Sequence, residues 1–286
     1  MTTAVHPSDP RFASTRTLHT DLVIDPFGAD VRDMIEVARL ADAGGFGGVW
    51  TLDHFSGAIL GQPWSRDPFT VMGAVAASTR RLRLGVLVAN MKNRHPAQLA
   101  SAVNTLQSIA PGRVVCGVGS GAGPTGPFST EFTAIGVQLE RAERRRYELA
   151  ETVAALRAIW RGEPDYAGHD VAFSGLRAVV DGSAPPPFIV GATSAETVAL
   201  ACACADGVNI RRTGSQESVT ELVALAHERA PGPEFEIDVY DQLELRHPLG
   251  GDPTWLRELG VHRRTLLVSP PFDFDAIGAI GVNLTG

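Results

Sequence analysis

Asp53, His54 and Phe55 stand just beyond the apolar run 46–51, with Leu52 between. A histidine at that place can give or take a proton near neutral pH, or hydrogen-bond a polar ring edge. A structural histidine tied to a backbone carbonyl is the competing reading. A second candidate is Gly117-Val118-Gly119-Ser120-Gly121. It resembles a dinucleotide fingerprint only superficially, because Pro124, Gly126 and Pro127 stand where that motif needs an immediate helix. A third is Gly191-Ala192-Thr193-Ser194-Ala195-Glu196, between an apolar run and a helix. Free backbone N–H groups, two hydroxyls and a helix dipole there could cradle a phosphate. Thr193-x-x-Glu196 is equally a capping box, and Glu196 would repel a phosphate if aimed at it, so local sequence leaves both readings open. The fourth, Gly85 to Asn90 running into Arg94-His95-Pro96, reads locally as an apolar strand followed by a proline-started helix.

These tips need elements to position them, and the chain supplies a regular alternation. Strands are predicted within 17–24 and at 46–51, with a third ending at Asn90, then at 113–118, 188–190, 207–210, 235–240 and 265–268. Helices are predicted at 30–43, 67–79, 97–109, 139–160, 194–204, 215–229, 252–259 and after Phe274. In 30–43, Val31, Met34, Ile35 and Ala38 fall on one face, and Gly44 and Gly45 end the helix. In 97–109, Leu99, Ala102, Val103, Leu106 and Ile109 form a similar stripe. Eight strands alternating with helices predict an α/β fold, a (β/α)8 TIM barrel, whose loops after the strand C-termini carry chemistry. The pattern breaks at 119–136, too long for a plain connector and expected to be a lid or binding loop, and at 163–187, expected to hold a hairpin. Helix 139–160 turns Leu149, Thr152, Val153, Leu156 and Ile159 inward. Its charges, Glu140, Arg144 and Glu151 among them, read as a solvated face. Residues 1–15 are expected to be a flexible tail and 16–286 a single barrel domain.

The 286 residues are 44% hydrophobic and carry a net charge of −7, which argues against a general partner in nucleic acid or an anionic membrane. No run is long and apolar enough for a membrane helix, and the N-terminal residues lack the apolar core of a secretory signal. Cys116, Cys202 and Cys204 are an odd number in a large chain, which fits reduced thiols in the cytoplasm. Cys202 and Cys204 lie two apart on a predicted helix and so point to different faces, which disfavours a metal pair.

The order and spacing of AGGFGGVWTLDHF, TRRLRLG, RHP-x-x-LA, SIAPGRVVCGVGSG and PPPFIVGATSAETVALACACADGV resemble the bacterial luciferase-like superfamily. That superfamily contains FMN-dependent monooxygenases and oxidoreductases that use the deazaflavin coenzyme F420. The likeness is good over about 30–212 and loose in the last quarter. It implies a barrel with an isoalloxazine-type ring in its C-terminal mouth. Asp53 and His54 match the second-strand tip, with the histidine facing the reactive ring. Leu87 and Val88 match a non-prolyl cis peptide that bulges against the ring's back face. Asn90, Ser120 and Gly121 match positions lining the ring or its side chain, and Gly191, Ala192, Thr193 and Ser194 match the phosphate loop. Two positions depart. F420-dependent sugar-phosphate dehydrogenases carry a proton-transferring glutamate where this chain has Ala122, and a tryptophan where it has Ala58, with Trp64 nearby.

The resemblance therefore implies hydride transfer between F420 and a small organic substrate, but not sugar-phosphate oxidation of that type. An FMN-dependent monooxygenase activating O2 is the alternative, and a flavin-binding barrel without turnover is the third. A homodimer is expected, with substrate contacts in loops 55–66, 119–136 and 163–187.

Overall fold

The computed structural model describes residues 17–241 and 253–284. Its ten strands are β1 (His19–Ile24), β2 (Gly48–Thr51), β3 (Arg83–Asn90), β4 (Val114–Gly119), β5 (Tyr166–Ala167), β6 (Ala172–Phe173), β7 (Phe188–Ala192), β8 (Gly207–Arg211), β9 (Glu236–Asp241) and β10 (Arg263–Val268). Its nine α-helices are α1 (Val31–Ala43), α2 (Pro68–Ser78), α3 (Pro96–Ile109), α4 (Thr130–Ala134), α5 (Ala142–Trp160), α6 (Ala195–Cys204), α7 (Gln216–Arg229), α8 (Thr254–Glu258) and α9 (Phe274–Leu284). Eight strands close in the order β1-β10-β9-β8-β7-β4-β3-β2, every neighbouring pair parallel. This is the expected (β/α)8 barrel. The short antiparallel pair β5–β6 stands apart as the expected hairpin.

Two apolar layers hold the barrel. Val23, Trp50, Leu87, Val115, Ile189 and Tyr240 come from six different strands and pack on one another inside the ring. The alternate side chains, such as Leu22, Ile24, Val49, Leu84 and Val86, face the helices in a larger cluster. Strands buried on both faces read as nearly continuous apolar runs, which is why they were visible in the sequence. Helix starts are equally local. Asp30, Asp67, His95 and Ser215 each accept a hydrogen bond from a backbone N–H in the first turn of the helix that follows. Pro68 and Pro96 occupy first positions that need no N–H donor.

Several expectations change in detail. The excursion 119–136 contains a 3-10 turn (Pro127–Ser129) and α4. Ile109, expected in the core stripe of α3, is 44% exposed. Glu151 is partly exposed but does more than face solvent. It accepts from the backbone N–H groups of His169, Asp170 and Val171, and so fixes the β5–β6 turn onto α5. The predicted tail 1–15 and the first residue of the predicted helix 252–259 lie outside the described residues. Cys116 and Cys202 are buried, Cys204 is partly so, and none of the three is bonded. Burial pushes the Cys116 thiol up to about 12 and is the main cause raising Cys204 to about 11, as expected of inert core thiols. No described helix is long and apolar enough to cross a membrane.

The strand N-termini close over a charged floor. Asp21 accepts from Trp50 Nε1 at 3.0 Å and from Arg263 at 2.9 Å. Glu236 takes Arg83 at 2.7 and 2.8 Å and lies 3.3 Å from Arg263 Nε. Buried beside it, Asp238 is pushed well above the usual carboxylate range by desolvation and by the Glu236 charge. The folded chain thus holds a proton that the unfolded chain gives up once pH exceeds the ordinary value of 3.8. Stability therefore falls as pH rises from that value toward the raised one. In Asp238→Asn that dependence disappears. Its melting temperature relative to the parent should rise between pH 4 and pH 8, as differential scanning fluorimetry would show.

Candidate active site

The tip of β2 is pinned from two sides. Thr51 Oγ1 donates to the Ile24 carbonyl at 2.8 Å, and the buried Asp53 carboxylate accepts from Asn90 N at 2.8 Å. Arg94 Nη1 donates to both Asp53 oxygens at 2.8 and 2.7 Å, and its Nη2 reaches Asp67 at 2.9 Å. Asp53 therefore clamps the β2 tip to the segment joining β3 to α3. His54, next in the chain, turns the other way. Its Nδ1 lies 2.5 Å from Glu131 Oε1, and its ring packs against Phe27 and Phe128 with centroids 5.3 and 5.0 Å away. Glu131 Oε2 accepts from Phe55 N at 3.2 Å and Ser56 N at 3.3 Å. The carbonyl-bound structural histidine is thus replaced by a carboxylate-bound one.

Across the mouth, the Leu87–Val88 peptide is cis, and the pairing of β3 with β4 shifts register between Val86 and Ala89. The Val88 side chain fills space that only glycines leave. A methyl group on Gly119 would lie 2.3 Å from Val88 Cγ2, and one on Gly191 would lie 2.9 Å from Val88 Cγ1. A Cβ on Gly117 would meet the Val86 carbonyl oxygen at 2.3 Å. The alternating glycines of 117–121 therefore serve close approach of β3, not a dinucleotide. Gly121 adopts φ +69° against the Asn90 side chain, whose Oδ1 also accepts from Lys92 N at 2.9 Å.

The third corner is cationic. Arg145 on α5 donates to Ser120 Oγ at 3.3 Å and to the Gly121 carbonyl. Its buried Nε has no partner among the described residues. Burial and the neighbouring Arg146 charge push its pKa down. Facing it, Gly191, Ala192, Thr193 and Ser194 lead into α6. Here the capping-box expectation is corrected. Because β7 stays paired to β8 through Ala192, the helix entrance falls at Ser194, not Thr193. Ser194 Oγ accepts from Thr197 N at 3.4 Å, and Thr193 is left exposed. Its own backbone N–H and the Ser194 hydroxyl hold the Glu196 carboxyl below its ordinary range, so that carboxylate is turned onto the helix start.

All these segments border one cavity of about 890 Å³, within the range of small-molecule sites. Every site residue expected from the sequence lines it, from Asp53 and His54 through Leu87, Val88 and Asn90 to Ser120, Gly121 and 191–194. Sequence reasoning missed Asp25, Phe27, Phe128, Glu131, Arg145 and Arg146. Glu131 had a signal, being the one charged residue in 119–136. Asp25-Pro26-Phe27 follows β1 as Asp53-His54-Phe55 follows β2, a parallel that sequence alone displays. Desolvation raises the Asp25 carboxyl, against the N–H of Phe27 and the hydroxyl of Ser269. Ala122 lines the cavity, and so does Leu60, on the loop that holds Ala58. Trp64 instead donates to the Ala29 carbonyl at 3.2 Å, away from the cavity wall.

A model of the luciferase-like monooxygenase family matches residues 10–240. The chain belongs to that family. Within the wider group it is 30% identical over 247 residues to an F420-dependent glucose-6-phosphate dehydrogenase of Beutenbergia cavernae, covering 81% of this chain and 68% of that one. A 5,10-methylenetetrahydromethanopterin reductase of Methanolobus tindarius is 28% identical over 205 residues, 71% of this chain and 57% of the reductase. The matched stretch thus spans about half to two thirds of the relatives' length. The solved F420-dependent secondary alcohol dehydrogenase with an F420-acetone adduct superposes with a TM-score of 0.76 at 16% identity, over 93% of this chain and 98% of that one. At that identity the match bears on the fold, and it agrees with the luciferase-like barrel.

The glycine–valine contact is testable. Gly119→Ala should destabilise the chain by about 1–3 kcal/mol through overpacking, because the stiff Val88 side chain cannot swing aside. Adding Val88→Ala should restore most of the lost stability, and chemical denaturation of the two single variants and the pair measures the coupling.

Proposed function

We propose that this luciferase-like protein is an oxidoreductase passing a hydride between F420 and a small organic substrate. The observation that carries the reading is the meeting, in one cavity, of His54, the Leu87–Val88 bulge and the cationic corner at Ser194 and Arg145. F420 is preferred to FMN because the Beutenbergia relative, 30% identical, is an F420-dependent enzyme. The residues suit such a group. The buried Arg145 Nε, without a partner among the described residues, could take an anion, Thr193 before α6 is exposed to the cavity, and the bulge offers an apolar platform for a flat ring.

When bound, the coenzyme supplies the carbon centre that accepts or gives hydride. In this assignment the chain's own groups position and protonate. Gly191, Ala192, Thr193 and Ser194, with Arg145 and Arg146, hold the phosphate. Asn90, Ser120 and Gly121 border the ring or its side chain, and Leu87 and Val88 support its back. Asp53 fixes the tip that carries His54, and His54 holds the reacting oxygen of the substrate and moves its proton.

The mouth is also polarised, which bears on the substrate. Arg211 ends β8, four strands from His54's β2 in either direction around the ring, and Arg145 and Arg146 flank β4 and β7. On the His54 side the described wall is Asp25, Phe27, Leu60 and Phe128, with Glu131 behind. A carboxylate-lined, aromatic wall suits a neutral alcohol or carbonyl better than a sugar phosphate. The setting proposed is the cytoplasm, which the unbonded core thiols suit, and the homodimer acting on small molecules is proposed from the family likeness alone.

Titration with F420 and with FMN, followed by fluorescence, should give a tight endpoint with F420 alone. Tight binding of FMN only would move the protein to the monooxygenase reading, and binding of neither would sink both. His54→Ala should keep F420 affinity and lower kcat by about 10²–10⁴-fold with 2-propanol as substrate. Glucose 6-phosphate should be turned over poorly by the parent.

A further inference from the structure

We propose that Glu131 is the positioning residue of His54, fixing which imidazole nitrogen carries the proton. The inference rests on the hydride-transfer reading for its kinetic consequence but not for its structural one. Glu131 lies in α4, 77 positions along the chain from His54, and its side chain is fully buried. Both of its oxygens are engaged. Oε2 accepts from two backbone N–H groups, those of Phe55 and Ser56, and Oε1 faces His54 Nδ1. A carboxylate held this way can only accept, so Nδ1 carries the hydrogen and donates it. Phe27 and Phe128 pack on the ring with centroids 5.3 and 5.0 Å away, and His54 lines the cavity, so the edge turned to substrate is assigned to Nε2, the nitrogen that Glu131 does not hold.

Nε2 then presents a lone pair to a substrate hydroxyl. In the oxidation direction the O–H bond breaks and its proton passes to Nε2. The carbinol C–H bond breaks, and its electron pair leaves with the hydrogen as hydride to oxidised F420. The substrate becomes a carbonyl and the coenzyme is reduced. The imidazolium formed is stabilised by the buried carboxylate and afterwards releases its proton to solvent. Reduction of a carbonyl runs the same path backwards. This division of labour matches that of an acid–histidine pair in which the carboxylate sets tautomer and orientation without taking the proton itself.

The two backbone donors make the role testable. In Glu131→Gln the amide oxygen must face Phe55 N and Ser56 N, because turning it away would set the amide's N–H groups against two donors. The amide nitrogen then faces Nδ1 and donates to it, which moves the imidazole hydrogen to Nε2. With ¹⁵N-labelled histidine in the cofactor-free protein, and His54→Ala to assign the signal, neutral His54 should show Nδ1–H in the parent. It should show Nε2–H in the Gln variant. Turnover of F420 with 2-propanol should fall by about 10²–10⁴-fold in kcat, with KM and F420 affinity little changed. Glu131→Asp, which keeps an acceptor-only group, should recover part of the loss. An Nε2–H tautomer in the parent overturns the proposal even if Glu131→Gln fails to fold. So does a folded Gln variant that retains the parent's tautomer or its kcat. If the parent shows the expected tautomer but no F420 chemistry, the proposed function fails while the positioning of His54 stands.

Discussion

Val88 projects into a gap that exists only because Gly119 and Gly191 have no side chains. This steric constraint organises the mouth. It sets how far β3 can lean over β4 and β7, and hence where the β3 register shift falls. Beyond the shift, Asn90 is placed so that its N–H reaches Asp53 and its side chain meets Gly121. Asp53 in turn orients the β2 tip and turns His54 toward the centre. A packing fact between one valine and two glycines thus propagates through a carboxylate to the group that handles protons. The barrel wall itself is ordinary; the departure from regular pairing makes the platform.

Charge is distributed with comparable economy. The strand N-termini bury a closed set, Asp21, Glu236, Asp238, Arg83 and Arg263, whose members mostly satisfy one another. The opposite end sets Arg145, Arg146 and Arg211 near β4, β7 and β8, with Glu196 among them, and Asp25, Asp53 and Glu131 near β1 and β2, where Arg94 pairs with Asp53. The three arginines bias an anionic tail toward their side of the mouth and leave the neutral reacting end toward His54.

Much of this was legible in the sequence, and the residues show why. Strands buried on both faces announced themselves as apolar runs, and Pro68, Pro96 and Gly44 punctuated the helices. The site positions came from the order of whole motifs, since His54 or Gly191 alone admitted a bland reading. What stayed hidden was long-range. Arg145 and Glu151 belong to a helix whose charges suggest a solvent face, and only the folded excursion and hairpin convert them into ligands for backbone groups. The choice of Ser194 over Thr193 as cap turned on how far β7 remains paired, a distinction of one residue between adjacent hydroxyls. Glu131 stood out as a lone charge, yet nothing local could say that it would end beside His54.

The hydrogen bonds from Phe55 and Ser56 to Glu131 mean that the β2 loop and the excursion after β4 are finished by one another. Family barrels are commonly regarded as a constant frame carrying interchangeable loops. In this molecule that modularity has a limit. A chimera that imports a foreign segment after β4 would leave two amide groups and an imidazole without their acceptor. Recombination within the family must therefore exchange the two loops together, or retain an acid at the point where they meet.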